Sequence, residues 1–370
     1  MDINNTQRAV ILLQDGTIFY GKSCGAIGTI SGEIAFNTGM TGYQEIFTDP
    51  SYFGQILIMA TSHIGNYGVH HEEIESQQCK IKGLIVKKFS KQASRYGEVD
   101  SLQNYLKRDN VVGIQDVDTR ALVIHVRENG AQNAIISSEN TNIDELKKLL
   151  DKSPSMLGTE LASKVSTESS YTLGNGTHKI ALIDFGVKNN IISCLLDRNC
   201  IIKVFPYNTS FEEILRWSPD GIMLSNGPGD PEPLTECIET VKELVNTDIP
   251  IFGICLGHQM LCLSQGLKTE KMYNGHRGIN HPVKNLKTGK CEITSQNHGF
   301  VVSHEGVKDN SNVEITHRHL NDNTIAGITL KNKHISSVQY HPESSPGPHD
   351  SRYLFDDFLA NIKTYKKQLI

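Results

Sequence analysis

The sequence predicts an α/β protein with a mostly parallel, open sheet in its C-terminal half, preceded by a smaller, β-rich α/β domain. In the C-terminal half, apolar strand patterns such as 179–183 alternate with amphipathic helix patterns such as 188–197. Buried strands that alternate with helices are typical of parallel sheets with right-handed crossovers. In the N-terminal half, glycine-rich segments with short β-branched runs predominate. The 370 residues also exceed one ordinary core and indicate two domains.

The predicted elements follow in order along the chain. An apolar run at 9–13 precedes a hairpin turn signal at 14–17, and Asn142 is a suitable N-cap for a helix. The other predicted elements of the N-terminal half are a strand at 84–86 and helices at 101–107, 118–128 and 141–150. Those of the C-terminal half are strands at 201–205, 221–224 and 249–254 and helices at 211–217 and 234–245.

A polar, glycine-containing stretch at 165–178 lacks periodicity and indicates a linker. The predicted organisation is therefore a first domain at 1–165, a linker at 166–177 and a second domain at 178–370.

Composition excludes several classes of protein. The chain is 38% hydrophobic and 21% charged, which favours a globular over a disordered protein. A net charge of −5 gives no electrostatic reason to expect nucleic acid or a membrane as a partner. No apolar run approaches the roughly 18–20 residues of a membrane span, and residues 1–5 lack a secretion signal. No two of the eight cysteines have Cys-x-x-Cys spacing, so we expect no metal site and a cytoplasmic location.

The strongest local signal is the segment Gly253-Ile254-Cys255-Leu256-Gly257, in which an apolar strand leads directly into a helix. This Gly-x-Cys-x-Gly turn is the cysteine counterpart of the nucleophile elbow. The turn forces the nucleophile into a sparsely allowed backbone conformation, and glycines leave room between strand and helix. We predict an exposed thiol above the sheet, at a helix N-terminus that favours the thiolate. The alternative is a buried structural cysteine.

A thiolate that attacks an amide needs a histidine to manage protons and a third group to hold that histidine. His341 and Glu343 are two residues apart, so their side chains leave an extended backbone on the same side, and Pro342 restricts the backbone between them. We predict that Glu343 binds one imidazole nitrogen while the other faces Cys255. Four histidines lie nearer to Cys255 along the chain and compete with His341 for this role: His258, His276, His281 and His298.

Acyl transfer also needs two donors aimed at the developing oxyanion. The amide of Leu256, which follows the nucleophile, is one candidate. The loop 225–231 follows the preceding strand of the predicted sheet, and its glycines let the backbone approach a ligand. We assign the amide of Gly227 as the second donor; the alternative is an ordinary Gly-Pro turn.

These three elements occur in the order found in class I glutamine amidotransferases, and the chain resembles that family. Other segments are similar to the small-subunit family of carbamoyl phosphate synthetases, and this similarity covers nearly the whole chain, from about Val10 to Phe358. The segments that carry this similarity are 32–45, 48–52, 63–66, 275–278, 280–284, 295–300 and 346–350.

The resemblance implies a glutaminase that forms a γ-glutamyl thioester on Cys255. It implies a glutamine site made of Ser51, Gly227, Gly229, Leu256, Gln259, Asn297, Gly299 and Phe300. Polar side chains among these suit the charged α-groups of glutamine. Since Ser51 lies in the first domain, the pocket would lie at the domain interface. Without the resemblance, Ser51 is a turn residue after Asp49-Pro50.

The resemblance further implies a large-subunit partner, which would use ammonia, bicarbonate and two molecules of ATP to make carbamoyl phosphate for arginine and pyrimidine biosynthesis. The chain has no P-loop, so we expect no cofactor here and place ATP and Mg²⁺ on the large subunit. Two alternatives stay open: a free-standing cysteine hydrolase, and a catalytically silent scaffold subunit.

Overall fold

The computed structural model describes residues 7–368, so the expectation about residues 1–5 lies outside the described residues. Contacts within the chain define two compact units, the first ending at Met156 and the second beginning at Leu157. The sequence placed the end of the first domain later, at residue 165, because the polar linker signal begins there.

From residue 7 onward, the first unit is built on a sheet of seven strands that closes on itself in the order β1-β2-β6-β5-β4-β3-β7. Strand β3 runs parallel to β4, β4 to β5 and β5 to β6, and the other pairs are antiparallel. The elements of this unit are β1 (Arg8–Leu13), β2 (Ile18–Gly25), β3 (Thr29–Asn37), α1 (Tyr43–Thr48), a 3₁₀ helix (Pro50–Tyr52), β4 (Gln55–Met59), β5 (Gly83–Ile85), α2 (Leu102–Arg108), β6 (Val112–Gln115), α3 (Thr119–Asn129), β7 (Asn133–Ser137) and α4 (Ile143–Leu150).

Local sequence signals explain several of these elements. The predicted hairpin turn joins β1 to β2, with Gly16 at φ 91° and the Thr17 amide donating to the Asp15 carboxylate. Helix α4 begins where Asn142 accepts hydrogen bonds from the amides of Asp144 and Glu145, which satisfies backbone donors that a helix N-terminus leaves unpaired. The β-rich character predicted for this half is confirmed.

The second unit contains a ten-stranded sheet within the described residues, in the order β14-β13-β15-β16-β17-β12-β11-β9-β10-β8. Its elements are a 3₁₀ helix (Ala162–Lys164), β8 (Tyr171–Leu173), β9 (His178–Asp184), α5 (Asn189–Leu196), β10 (Cys200–Pro206), α6 (Phe211–Arg216), β11 (Gly221–Leu224), α7 (Thr235–Val245), β12 (Ile251–Ile254), α8 (Leu256–Ser264), β13 (Thr269–Asn285), β14 (Cys291–Val302), β15 (Val313–His319), β16 (Ile325–Leu330), β17 (Ile335–Val338) and α9 (Tyr353–Gln368).

The predicted parallel sheet is present in the five strands β10, β9, β11, β12 and β17. These strands are covered on both faces, since the adjacent residues Ile251 and Phe252 of β12 point into different apolar clusters. Antiparallel strands extend the sheet beyond both edges of this core. The sequence did not predict that extension, because β13 and β14 are too polar for a buried-strand pattern.

The segment predicted as a linker contains the edge strand β8 (Tyr171–Leu173), which pairs with β10. Its side chains are mostly exposed, so backbone pairing holds this strand in place without any apolar pattern to predict it. Among residues 7–368, no helix combines the length and the apolar character that crossing a bilayer requires.

Candidate active site

Cys255 occupies the turn between strand β12 and helix α8. Its backbone has φ 54° and ψ −104°, a region that side chains other than glycine rarely adopt. Such a conformation costs about 1–3 kcal/mol and persists only where the surrounding structure enforces it. The strained elbow predicted from the sequence is therefore present, with Cys255 at the cap position of α8.

The two flanking glycines are required by close packing. A Cβ atom on Gly257 would lie 2.3 Å from the carbonyl oxygen of Leu224 in β11, and one on Gly253 would lie 2.8 Å from the carbonyl oxygen of Gly257. Both distances are far below van der Waals contact. Strand β12 and helix α8 can join this tightly only if neither position carries a side chain.

The Cys255 thiol is buried, with only 2% of the residue exposed, which corrects the expectation of an exposed sulfur. Its Sγ lies 3.6 Å from the carbonyl oxygen of Asn297 in β14, and the side-chain amide of Gln339 approaches it to 3.8 Å. The sequence did not predict that Asn297 and Gln339 cover the sulfur, because β14 and the segment after β17 are distant from the elbow along the chain.

His341 and Glu343 make the predicted contact, with 2.6 Å between Nδ1 and Oε1. The segment after β17 is held against β14, since the His341 amide donates to the carbonyl of Ser295. Both side chains are buried. Within residues 7–368, the other ring nitrogen, Nε2, has no hydrogen bond of standard geometry, and Cys255 is the thiol whose hydrogen bonding and charge act on this ring.

Lys188, at the cap of helix α5, forms an ion pair with Glu343 that the sequence did not predict. Its Nζ lies 3.0 Å from Oε1, and both side chains are almost fully buried. Burial alone would raise the pKa of the Glu343 carboxyl, but the positive charges of Lys188 and His341 outweigh it and lower that pKa to about 2. Glu343 is therefore a carboxylate at neutral pH.

The negative charge of Glu343 in turn raises the pKa of His341. Burial would lower the pKa of His341, but the charge of Glu343 and the hydrogen bond and charge of Cys255 outweigh burial and raise it to about 10. The ring is an imidazolium at neutral pH in this arrangement. A proton is thus held on the buried ring, between the Cys255 sulfur and the Glu343 carboxylate.

The loop after β11 lies directly beside the elbow. A Cβ atom on Gly227 would lie 2.2 Å from the carbonyl oxygen of Phe185 and 2.8 Å from the side chain of Leu256. The amide of Gly257 donates to the carbonyl of Ser225, which ties the loop to α8. Leu256 is the first residue of that helix, where backbone amides have no acceptor within the helix.

The competing histidines have other contacts. His258 is buried, with Nδ1 2.8 Å from the hydroxyl of Ser337, and His298 contacts the side chain of Gln296. His276 and His281 belong to a separate group of rings beside His319. Of the predicted candidates, His341 is the one whose ring contacts Glu343 and whose pKa is also raised by Cys255.

Comparison with known proteins identifies the family. The class I glutamine amidotransferase model matches residues 181–361, and the model of the CPSase domain of the carbamoyl-phosphate synthase small chain matches residues 11–136. The carbamoyl phosphate synthase small chain of Syntrophotalea carbinolica is 46% identical, with 95% of this chain and 96% of the relative covered. The small chains of Neisseria meningitidis serogroup B, 46% identical with 97% and 99% covered, and of Salmonella typhi, 45% identical with 97% and 98% covered, are similarly close. The chain belongs to the carbamoyl phosphate synthase small chain family.

As a member of the small chain family, this protein carries its amidotransferase domain in the second unit, where several predicted glutamine-binding residues come together. The side chain of Gln259 donates to the carbonyl of Phe300 and to the side chain of Gln339, at 2.8 and 3.1 Å. Asn297 contacts Cys255 through its carbonyl. Gly299 lies beside Arg277, since a Cβ atom there would be 3.3 Å from the guanidinium.

Two other predicted residues lie in different surroundings. Gly229 has φ 91° and pairs with Glu160 in an isolated bridge, and a Cβ atom there would lie 2.9 Å from the carbonyl oxygen of Thr159. Ser51 lies in the 3₁₀ helix of the first unit, where its amide donates to the Asp49 carboxylate. Contact of either residue with glutamine stays a prediction.

Sequence reasoning missed Lys188 and Gln339. Lys188 follows strand β9, and the sequence pattern assigns it only to the start of a helix. Gln339 lies two residues before His341, so by the extended-backbone argument used for Glu343 it leaves on the same side as the histidine. That spacing is the signal that could have found Gln339, whereas no local pattern marks Lys188.

Proposed function

We propose that this small chain hydrolyses L-glutamine to glutamate and ammonia through a thioester on Cys255. A large subunit then uses the ammonia, with bicarbonate and two molecules of ATP, to make carbamoyl phosphate for arginine and pyrimidine biosynthesis. The observation that carries the proposal is the buried His341–Glu343 pair, whose histidine pKa is raised by Cys255 in the strained elbow at the carboxyl end of the parallel strands.

In the first step, the Cys255 sulfur attacks the carboxamide carbon of glutamine while the thiol proton resides on His341. The tetrahedral intermediate places its negative oxygen at the amides of Leu256 and Gly227. As the C–N bond breaks, His341 transfers its proton to the departing nitrogen, which leaves as ammonia. The raised pKa of His341, to about 10, suits this role because it keeps the acid loaded at neutral pH.

In the second step, His341 is neutral and accepts a proton from water, which attacks the thioester carbon. The C–S bond breaks, glutamate leaves, and the proton returns to the Cys255–His341 pair. Glu343 holds the ring through Nδ1 in both steps, and Lys188 holds Glu343. Among the predicted substrate contacts, Ser51, Gln259 and Asn297 bind the charged α-groups, assisted by Gly227, Gly229, Gly299 and Phe300.

We place the rest of the chemistry on a partner. The large subunit carries ATP and Mg²⁺, the glutamine hydrolysis on the small chain needs no cofactor, and the hetero-oligomer works in the cytoplasm. The family membership supports this assignment, because carbamoyl phosphate synthase small chain is the name of relatives matched over almost their entire length.

The deciding experiment uses the complex of small and large subunits with Cys255→Ala in the small chain. Glutamine-dependent carbamoyl phosphate synthesis is expected to disappear, while synthesis from added ammonium continues. The exposed Cys291 provides the matched control, since Cys291→Ala should leave both activities unchanged. Equal loss of both activities in the Cys255 variant would contradict the role, and glutaminase activity without any large partner would favour a free-standing hydrolase.

A further inference from the structure

Three histidines of the second unit converge away from the elbow, in a group that the proposed reaction does not use. His276 and His281 lie on β13 and His319 ends β15. One nitrogen from each ring can be chosen so that all three lie within 4.8 Å of one another. Nδ1 of His281 and Nε2 of His319 are hydrogen-bonded to each other at 3.0 Å.

A bulge in β13 places two of these histidines on the same side of the strand. His276 and His281 are five residues apart, and an odd spacing puts side chains on opposite faces of a regular strand. In the register with β14, His276 pairs with His298 and His281 pairs with Thr294. Five steps on β13 thus match four on β14, and the extra residue brings the two histidines onto one face.

Asp322, in the turn after β15, holds two of the rings from behind. Its Oδ2 lies 2.7 Å from Nε2 of His276, and its Oδ1 lies 3.2 Å from Nδ1 of His319. When an outer nitrogen donates its proton to a carboxylate, the other nitrogen of the same ring is left with a free lone pair. Carboxylates behind ligating histidines have this role in known metal sites, where they fix the tautomer and orient the ring.

We propose that His276, His281 and His319 form a binding site for a divalent transition-metal ion of the zinc type, with Asp322 as the carboxylate that orients His276 and His319. Imidazole is a preferred ligand of zinc. With a Zn–N bond of about 2.0–2.1 Å and tetrahedral angles, two ligand nitrogens lie about 3.3–3.4 Å apart. The His281–His319 pair, at 3.0 Å, is close to that separation.

The surroundings of the rings are compatible with a cation. A cavity of about 420 Å³ adjoins His276 and Asp322, which gives access for an ion and its water ligands. The rings of His276 and His319 are stacked, with their centroids 4.1 Å apart. Both rings must tilt before one nitrogen of each can point at the same ion.

A metal ion at this site would link β13 and β15, two strands that pair over only a short length. Strand β13 pairs with β15 through only three residue pairs, ending at Val283 and His319. His276 also lies against His298, 5.0 Å between ring centroids, on the strand that carries the predicted glutamine-binding residues. An ion bound here therefore links β13 to the turn between β15 and β16. It also stabilises the region that packs against β14.

The test is zinc binding to the full chain in a Cys255→Ser background, which removes the active-site thiol as a competing ligand. After chelation and dialysis, equilibrium dialysis with Zn²⁺ followed by elemental analysis is expected to give one ion per chain. His319→Ala should lose this binding, and Asp322→Asn should weaken it by roughly 10- to 100-fold. His304→Ala, at an exposed histidine outside the group, should bind as the parent does.

Co²⁺ provides a second readout that does not depend on activity. Visible absorption bands should appear when Co²⁺ is added to the parent, disappear with excess Zn²⁺, and be missing in His319→Ala. A parent chain that binds no zinc, or zinc binding that is equal in the parent and in Asp322→Asn, would overturn the proposal. If His319→Ala does not fold, the parent and the milder Asp322 variant still decide the question.

Discussion

The second unit contains two groups in which histidines meet a carboxylate, and their protonation differs. His341 contacts one carboxylate that is itself fully buried and paired with Lys188. In the other group, three histidines lie together and two of them, His276 and His319, contact Asp322, whose side chain is 37% exposed. The pKa of His341 is raised to about 10, whereas that of His281 is lowered to about 4.

The difference follows from how much negative charge each ring receives. Burial penalises the charged form of every histidine. At His341 a buried carboxylate and a thiol overcome that penalty, while His281 has no direct carboxylate contact in the described residues and lies between two other rings. One arrangement therefore stores a proton for acid catalysis, and the other leaves a lone pair free for a cation.

Replacement of His341 should have the largest effect on activity. We expect His341→Ala to lower glutamine hydrolysis by roughly 100- to 10,000-fold, the range for loss of a general acid–base. In steady-state assays of the complex in the presence of a chelator, His281→Ala should retain most of the activity. A large loss of activity in the His281 variant, with only a small loss in the His341 variant, would contradict the assignment of His341 as the acid–base.

Lys188→Met should have the largest effect on stability. It leaves the Glu343 carboxylate buried without its lysine partner, and removal of one member of a buried ion pair costs about 3–5 kcal/mol. The matched control is Lys333→Met, because Lys333 pairs with Asp248 at 2.6 Å but the Asp248 side chain is 71% exposed. An exposed pair contributes about 0–1 kcal/mol. Urea unfolding of both variants measures the two losses, and equal losses would show that burial does not distinguish the pairs.

A smaller effect is a change of stability at alkaline pH. Because the pKa of His341 is about 10 in the folded chain and about 6.5 in the unfolded chain, its contribution is complete below pH 6.5 and disappears as the pH rises through 10. The difference in free energy of unfolding between the wild-type chain and His341→Gln should therefore shrink between pH 6.5 and 10. A constant difference over this range would contradict the raised pKa.

The second histidine group should respond at acid pH instead. The folded chain keeps His281 neutral down to about pH 4, whereas the ring in the unfolded chain takes up a proton below about 6.5. The unfolded state then binds more protons, so stability decreases as the pH falls from 6.5 through 4. His281→Asn should lose less stability than the wild-type chain over this interval, measured by unfolding without metal. An identical pH response would contradict this assignment.

Local patterns were sufficient for much of the fold. The strand–helix alternation predicted the parallel core, and Asn142 predicted the start of α4, since caps and periodicity act within a few residues. Polar strands escaped prediction: β8 lies in the expected linker, and the antiparallel strands β13 and β14 have no apolar run. Pairing with neighbouring strands, which single-segment patterns do not contain, decides their structure.

The sequence by itself determined the elbow at Cys255 and the contact between His341 and Glu343, because both depend on residues that are neighbours along the chain. Only the tertiary structure decided that the sulfur is buried and that Lys188 reaches Glu343. It also decided that a bulge brings His276 and His281 to His319. These outcomes depend on how separate strands and loops meet, and charge and burial at such meeting points set the protonation on which the chemistry depends.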